Sequence, residues 1–510
     1  MKITLVRAAT SIGANEIRSG AAAPLGLAYL AGNLLAAGYD VWAVDAVGES
    51  LSQYAAVPEA PGIMRHGLTD EQVVERIPKD TGLIGVACMF STEWPFAKSL
   101  MNAIRQRFPQ VKIIAGGEHI AACAEFNMRD CPALDYCALG EGEGIIVDLA
   151  NFLTGKGDAK GVDITQIPGL VYRDQNKINF NPRRNRERQI DSFPRPAWHL
   201  FPIAEYIDRG ETGGIPMGRT IPMLASRGCP YQCTFCSNPQ MWGNLWKARE
   251  QQSVLDEMKY YMETYNVTNF DFFDLTAIVN REWILKMARL IIDNNLKLTW
   301  HLPSGTRSEA LDEEVVASLY KSGCRNIIYA PESGSPYMLK LIKKQIHKNK
   351  MLASVKQAVK AGIKTKANFI VGFPDEKVTH VLESYWFALQ LAWVGIHDVS
   401  FFPFSPYPGS ALFERLQKEG KLPPLSDEYF YSLTRIDKSY SDHIPSWLLH
   451  ILTYLGVSIF YLISFMLRPA RFFKMIIAIW QQRPQTRLDA ALLRVLRRKN
   501  KYIKVAGLNN

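Results

Sequence analysis

The chain has 510 residues, 47% of them hydrophobic, enough for two or three domains with cores of their own. Its net charge is +10, yet eleven Lys or Arg and one acid, Asp489, lie between Arg468 and Asn510, so this last stretch carries the whole excess and the rest is neutral. Basic residues gathered at one end do not line a groove on a folded body, which argues against a nucleic-acid partner, and eight cysteines without a secretory leader point to a reducing compartment.

In chain order, Lys2–Arg7 reads as a short strand, Leu25–Ala37 as a helix stopped at Gly38, and Asp40–Asp45 as the next strand. Leu83–Cys88, Val111–Ala115 and Leu134–Ala138 repeat the strand pattern. Helical stretches between them, such as Pro95–Phe108, predict right-handed crossovers and a parallel sheet in a first unit of residues 1–157. Ligands of such sheets sit beyond the carboxyl ends of the strands. Two turns there are rich in glycine, Gly116-Gly117-Glu118-His119 and Gly140-Glu141-Gly142-Glu143. Glycine lets backbone approach a large ligand closely, although ordinary turns share the composition. Cys88, Cys123, Cys131 and Cys137 read as core or loop residues, and His119 as part of its turn.

Prolines and the run Arg183, Arg184, Arg186, Arg188 mark residues 158–219 as a hairpin and crossing linker, with Phe193–Trp198 a stiff stretch carrying an aromatic anchor. The apolar run Ile221–Ala225 then leads into a loop with Cys229, Cys233 and Cys236, a C-x3-C-x2-C spacing. Three thiolates on one short loop can each ligate a different iron of a cubane, leaving the fourth iron open to a substrate. A zinc site needs a fourth ligand at matched spacing, and His199 and His301 are far off in sequence. Disulfides fail on parity. Further apolar runs at Phe270–Phe273, Leu296–His301, Asn326–Ala330, Lys364–Gly372 and Val399–Phe404 make six β/α units, hence a partial barrel over residues 220–430 with its active groups at the strands' carboxyl ends. Asp274, Arg307, and Glu332 with Ser333 stand at three such ends. Cys324 reads as core, and Phe401, Phe402, Phe404 and Tyr407 as core or as the wall of an apolar cavity.

The cysteine spacing, with Phe235 before the last cysteine, resembles the defining motif of the radical S-adenosylmethionine (radical SAM) superfamily. The resemblance implies a 4Fe-4S cluster on Cys229, Cys233 and Cys236 whose open iron chelates S-adenosylmethionine, a one-electron donor such as flavodoxin or ferredoxin, and a 5′-deoxyadenosyl radical that abstracts hydrogen from carbon. It also implies S-adenosylmethionine contacts from Phe235, from Asp274 to the methionine amino group, from Arg307 to its carboxylate, and from Glu332 and Ser333 in Glu332-Ser333-Gly334-Ser335. Pro24 and Gly26, Asp45, Gly116 and Gly117, and Gly140, Glu141 and Gly142 resemble the cobalamin-binding domain that precedes many radical SAM barrels. Asp45-Ala46-Val47-Gly48 departs from the D-x-H-x-x-G pattern of many cobalamin proteins, because no histidine is present to sit below the cobalt.

From Ile444 to Leu467 no Asp, Glu, Lys or Arg occurs. This length suffices to cross a bilayer core, or to insert as a buried hairpin. Beyond it Leu488, Leu492, Val495, Leu496 and Ile503 alternate with Arg494, Arg497, Arg498, Lys499 and Lys501, a pattern for a helix lying on anionic lipid. Residues 431–510 therefore predict a helical, membrane-associated tail on the cytoplasmic face. The whole predicts an α/β protein: a doubly wound cobalamin-type domain, a (β/α)6 barrel and the tail. The implied activity is C-methyl transfer to an unactivated carbon of a lipid, isoprenoid or tetrapyrrole. An anaerobic oxidative cyclase resembling the magnesium-protoporphyrin monomethyl ester enzyme is the alternative, and a cobalamin or redox sensor is the third reading.

Overall fold

Strands that bury both faces carry near-continuous apolar runs, and two parallel sheets form from them. The computed structural model describes residues 1–14, 21–156, 163–435, 438–493 and 495–496. The first sheet contains β1 (Lys2–Arg7), β2 (Asp40–Asp45), β3 (Thr81–Ala87), β4 (Lys112–Gly116), β5 (Tyr136–Ala138), β6 (Leu170–Asp174) and β7 (Lys177–Phe180) in the order β7-β6-β5-β4-β3-β1-β2. β2 to β5 are parallel, while β6 and β7 add an antiparallel hairpin beside β5. Strand order reverses between β1 and β3, which sets a ligand crevice at their carboxyl ends. A small antiparallel sheet of Thr10–Gly13, Tyr54–Ala56 and Ile63–His66 was not legible in the sequence, since such short runs show no period.

The second sheet runs consecutively and in parallel through β8 (Thr220–Met223), β9 (Asn269–Phe272), β10 (Thr299–Thr306), β11 (Cys324–Glu332), β12 (Lys364–Val371) and β13 (Asp398–Pro403). This is the expected six-stranded partial barrel. Gly362 and Gly395, at φ 92° and 105°, end the crossover helices Lys348–Ala361 and Val378–Val394, a backbone state that glycine adopts without strain. One apolar core runs through both sheets and includes Leu27, Ile221, Phe270 and Phe387, with Trp198 of the linker fully buried in it.

The apolar segment near the end forms a helix, Ser446–Leu467, long enough to cross a bilayer. It does not stand free. Leu449, Leu452, Thr453, Gly456, Phe460 and Ser464 form its buried face. The Tyr461 hydroxyl donates to Asp398 at 3.0 Å, and the Tyr385 hydroxyl donates to the Leu452 carbonyl. Arg468 and Arg471 donate to the carbonyls of Ala392, Trp393, Gly395 and Ile396 at 2.6–2.8 Å, satisfying acceptors at the end of Val378–Val394. The opposite face exposes Trp447, Tyr454, Leu462 and Met466, and the next helix, Pro469–Trp480, exposes Phe473 and Trp480. Leu488 and Leu492 are half-buried. The expected basic face, Arg494, Arg497, Arg498, Lys499 and Lys501 with Ile503, lies outside the described residues.

A Cβ at Gly456 would come within 2.6 Å of the Tyr385 ring and 3.0 Å of Phe401. Gly456→Val should therefore pry this helix from the barrel at a cost of about 1–3 kcal/mol, seen as a lower thermal midpoint and faster proteolysis before residue 446.

Candidate active site

The loop with the three cysteines is fixed at its start by an acid on the next strand end. Asp274, just past β9, accepts hydrogen bonds from the Ala225 amide at 3.1 Å and the Ser226 hydroxyl at 2.5 Å. Burial pushes this carboxyl up to about 6, against the hydrogen bonds that favour its charge. Both oxygens accept from the loop, so Asp274 braces it. Thr276 donates to the Cys229 sulfur at 3.4 Å and is itself held by Trp246, whose ring nitrogen donates to the Thr276 carbonyl at 2.9 Å. The Thr234 amide donates to Ile342 at 3.1 Å, which brings the Lys343 carbonyl within 3.9 Å of the Cys233 sulfur. Phe235 packs on Phe373 with ring centres 5.8 Å apart.

Two other strand ends face this loop. Arg307, past β10, is buried with its guanidinium 3.3 Å from the centre of the Tyr231 ring. One nitrogen donates to the Gln345 carbonyl, and Nη2 is buried without a partner among the described residues. Glu332 ends β11 at φ 63°, a conformation that a residue with a Cβ adopts at a cost of about 1–3 kcal/mol and that clusters at functional sites. Its carboxylate pairs with Lys344 at 3.0 Å. Ser333 turns inward instead: its hydroxyl meets that of Ser384 at 3.2 Å and accepts from the Ser335 amide at 3.1 Å.

The glycine-rich turns of the first sheet reach the same place. Gly117 follows β4 at φ 125°, and a Cβ there would run into the Cys88 carbonyl. Glu118, next to it, accepts from the Ser237 hydroxyl, one residue past Cys236. Gly140, at φ 103°, and Gly26, in the first turn after Pro24, each have open space where a side chain would stand. Gly116 ends β4, and Gly142 opens the helix Gly142–Thr154. The carboxylates of these motifs have other partners. Asp45 is fully buried and accepts from Val47 at 3.1 Å and the Tyr206 hydroxyl at 2.7 Å. Glu141 lies 3.5 Å from both Arg186 and Arg227, and Glu143 pairs with Arg227 at 2.6 Å. These two acids thus join the first sheet to the cysteine loop. Sequence reasoning missed that joint, along with Thr276 and Lys344.

Residues 18–150 match the B12 binding domain family and residues 223–388 the Radical SAM superfamily. The chain thus carries a B12-binding domain followed by a radical SAM domain. An uncharacterized methyltransferase of Pyrococcus horikoshii is 28% identical over 81% of this chain and 83% of its own length. The cytidylyl-2-hydroxyethylphosphonate methyltransferase of Streptomyces wedmorensis is 27% identical over 81% and 80%. The structure of the radical S-adenosylmethionine methyltransferase TsrM from Kitasatospora setae, with cobalamin and a [4Fe-4S] cluster, shares the fold at a TM-score of 0.65 and 16% identity, over 91% of this chain and 90% of that one.

This radical SAM enzyme uses a [4Fe-4S] cluster, S-adenosylmethionine and cobalamin, and its residues fit them. Cys229, Cys233 and Cys236 are unpaired and partly exposed. Burial pushes the Cys236 thiol up to about 12 and raises Cys233, so a bound cationic cluster has to draw off their protons. Among the described residues no three His, Cys, Asp or Glu side chains converge as around a single ion, and ligands of separate irons need no such convergence. The Arg307 nitrogen that has no partner among the described residues suits a carboxylate, and the open space at Gly26 and Gly140 suits a large ligand at the strand ends.

His119, expected in a turn, instead lies in the first turn of the helix Glu118–Asp130, because Gly117 ends the turn before it; it is buried between Ser91 at 3.0 Å and Asn127 at 3.1 Å, and burial lowers its ring to about 3. The unfolded ring takes a proton near pH 6.5 that the folded ring refuses, so this side chain costs stability as pH falls below 6.5. His119→Gln removes that cost. The stability gap between parent and variant in urea titrations should shrink by about 2 kcal/mol from pH 7 to pH 5; a constant gap would mean that the folded ring is protonated.

Proposed function

We propose that this enzyme is a cobalamin-dependent C-methyltransferase acting on an unactivated carbon of a hydrophobic substrate, a lipid, isoprenoid or tetrapyrrole, at the cytoplasmic face of a membrane. The observation that carries the reading is the meeting of the two cofactor regions: Ser237 beyond the last cysteine bonds to Glu118 beside Gly117, so a group carried at the glycine turns and one carried at the cysteines share a single space. The methyltransferase names of the relatives from Pyrococcus and Streptomyces support it. The exposed apolar faces of Ser446–Leu467 and Pro469–Trp480 support the membrane and the substrate class, since patches of this kind mark interaction surfaces.

When bound, the cluster with S-adenosylmethionine supplies hydrogen abstraction, and cobalamin supplies the methyl group. The protein supplies position. Arg307 binds the methionine carboxylate through Nη2, and Glu332, oriented by Lys344, accepts from the ribose hydroxyls or the amino group. Asp274 and Thr276 hold the cysteine loop in register. Gly116, Gly117, Gly140 and Gly142, with Pro24 and Gly26, offer backbone to the corrin, and Asp45 and Glu141 hold those turns from behind.

The test is anaerobic reconstitution with iron, sulfide and hydroxocobalamin, followed by cobalt quantification and incubation with S-adenosylmethionine and membrane-lipid extracts. We expect near one cobalt per chain, a product heavier by one methyl group, and loss of 5′-deoxyadenosine formation in Cys233→Ala. A product that loses hydrogens and gains oxygen would establish the oxidative cyclase instead. Absence of retained cobalt would end the methyltransferase reading.

A further inference from the structure

The cysteine loop is enclosed on two flanks and open on the third. Beyond Cys236, the first domain closes it through Glu118 and Ser237. At Cys229, Thr276 and Trp246 close it. At Cys233 the neighbour is the loop Ile342–His347 between the helices Pro336–Leu341 and Lys348–Ala361, and the Lys343 carbonyl touches the Cys233 sulfur, at 3.9 Å. Outside that contact lies a groove of about 900 Å³ whose lining includes Tyr231, Gln232, Lys340, Lys343, His347 and Lys350.

The groove is strongly basic. Lys340, Lys343, Lys344, Lys348 and Lys350 fall within eleven residues, and no acid occurs in the sequence between Glu332 and Asp375. Lys344 is neutralised by Glu332 at 3.0 Å, and Lys348 is held by the Gly334 carbonyl at 2.8 Å. Lys340, Lys343 and Lys350 are exposed and have no acidic partner within ion-pair distance among the described residues. Of the nearest acids, Glu309 faces Arg307 at 3.8 Å. A positive, concave surface one loop away from a cluster ligand favours encounter with a negatively charged partner and sets its orientation.

We propose that this groove is the docking site of a small acidic electron-carrier protein, which passes one electron from its reduced flavin or iron–sulfur centre to the cluster across the Cys233 side. The proposal rests on the radical SAM reading of the loop. No atom is transferred: the carrier ends one electron more oxidised and the cluster one electron more reduced. Encounters of this kind use small interfaces and depend on salt, which suits a patch of three free lysines better than a broad contact.

The test is titration calorimetry of the full chain with FMN-loaded flavodoxin and, separately, a [2Fe-2S] ferredoxin, at 50 and 300 mM salt, a readout that does not require turnover. We expect the parent to bind at least one carrier, with affinity falling several-fold at high salt. Lys340→Glu with Lys350→Glu should weaken that binding at least tenfold, while Lys112→Glu with Lys177→Glu on the first sheet binds as the parent does. Supplied with titanium(III) citrate in place of the carrier, the Lys340/Lys350 variant should form 5′-deoxyadenosine at the parental rate. Parental affinity in that variant, equal weakening by both double variants, or no saturable binding of either carrier by the parent would overturn the proposal. So would loss of binding to anionic vesicles with carrier binding intact, which would assign the groove to lipid. Failure of methyl transfer would leave these binding constants unchanged, so the two readings fail separately.

Discussion

Burying the Arg227 guanidinium two residues ahead of Cys229 carries a desolvation cost of several kcal/mol. The fold offsets it with Glu143 at 2.6 Å, Glu141 at 3.5 Å and the rings of Tyr29 and Phe193 at 5.0 and 4.4 Å. Both acids sit at the start of the helix Gly142–Thr154, where the helix dipole already favours negative charge. The arginine belongs to the barrel and the acids belong to the first sheet. Separating the two would strand a buried charge on each side, at about 3–5 kcal/mol, so the spacing between the glycine turns and the cysteine loop is set by this pair. For chemistry shared between two bound groups, that spacing is the quantity that matters, because misplacement by about 1 Å can cost a hundredfold in rate.

The same pair shows where reading the sequence stops. The strand runs were legible because parallel strands buried on both faces are apolar throughout, and the cysteine spacing was legible because ligand geometry dictates it. The acids of the motifs were legible as positions and not as partners. Asp274, Asp45 and Glu141 all stand at strand ends, as expected, yet each is hydrogen-bonded or paired to its own protein: to Ala225 and Ser226, to Val47 and Tyr206, and to Arg186 and Arg227. Which buried amide or guanidinium lies opposite a carboxylate is a property of the folded pair of sheets. Local sequence does not carry it. The left-handed backbone at Glu332 is hidden for the same reason, since nothing in Pro331-Glu332-Ser333 demands it.

The end of the chain makes the opposite point, that composition overstates what a segment is free to do. Ser446–Leu467 has the length and apolarity of a membrane span. Small residues on one face, Gly456, Thr453 and Ser464, let it lie flat on the barrel. What is left is a one-sided apolar surface beside the exposed Phe473 and Trp480 of the next helix. Arg468 and Arg471, part of the basic excess, cap the helix Val378–Val394 through its last carbonyls. The basic tail is therefore partly structural.

That redistribution changes how the remaining charge acts. Up to Leu467 the chain is electrically neutral overall, so at physiological salt, with a screening length of about 8 Å, it exerts little long-range pull on any partner. A local concentration of unpaired lysines on such a body then acts as an orienting device, because the field is felt only by a partner already near that face. The groove beside Cys233 meets this condition: its lysines lie on the loop that touches a cluster ligand and on the helix ends either side of it, and the other flanks of the cysteine loop are closed by protein. A protein basic over its whole surface would bind acidic partners in many orientations, most of them unproductive. Clustering free lysines at the side from which Cys233 can be reached favours an encounter there.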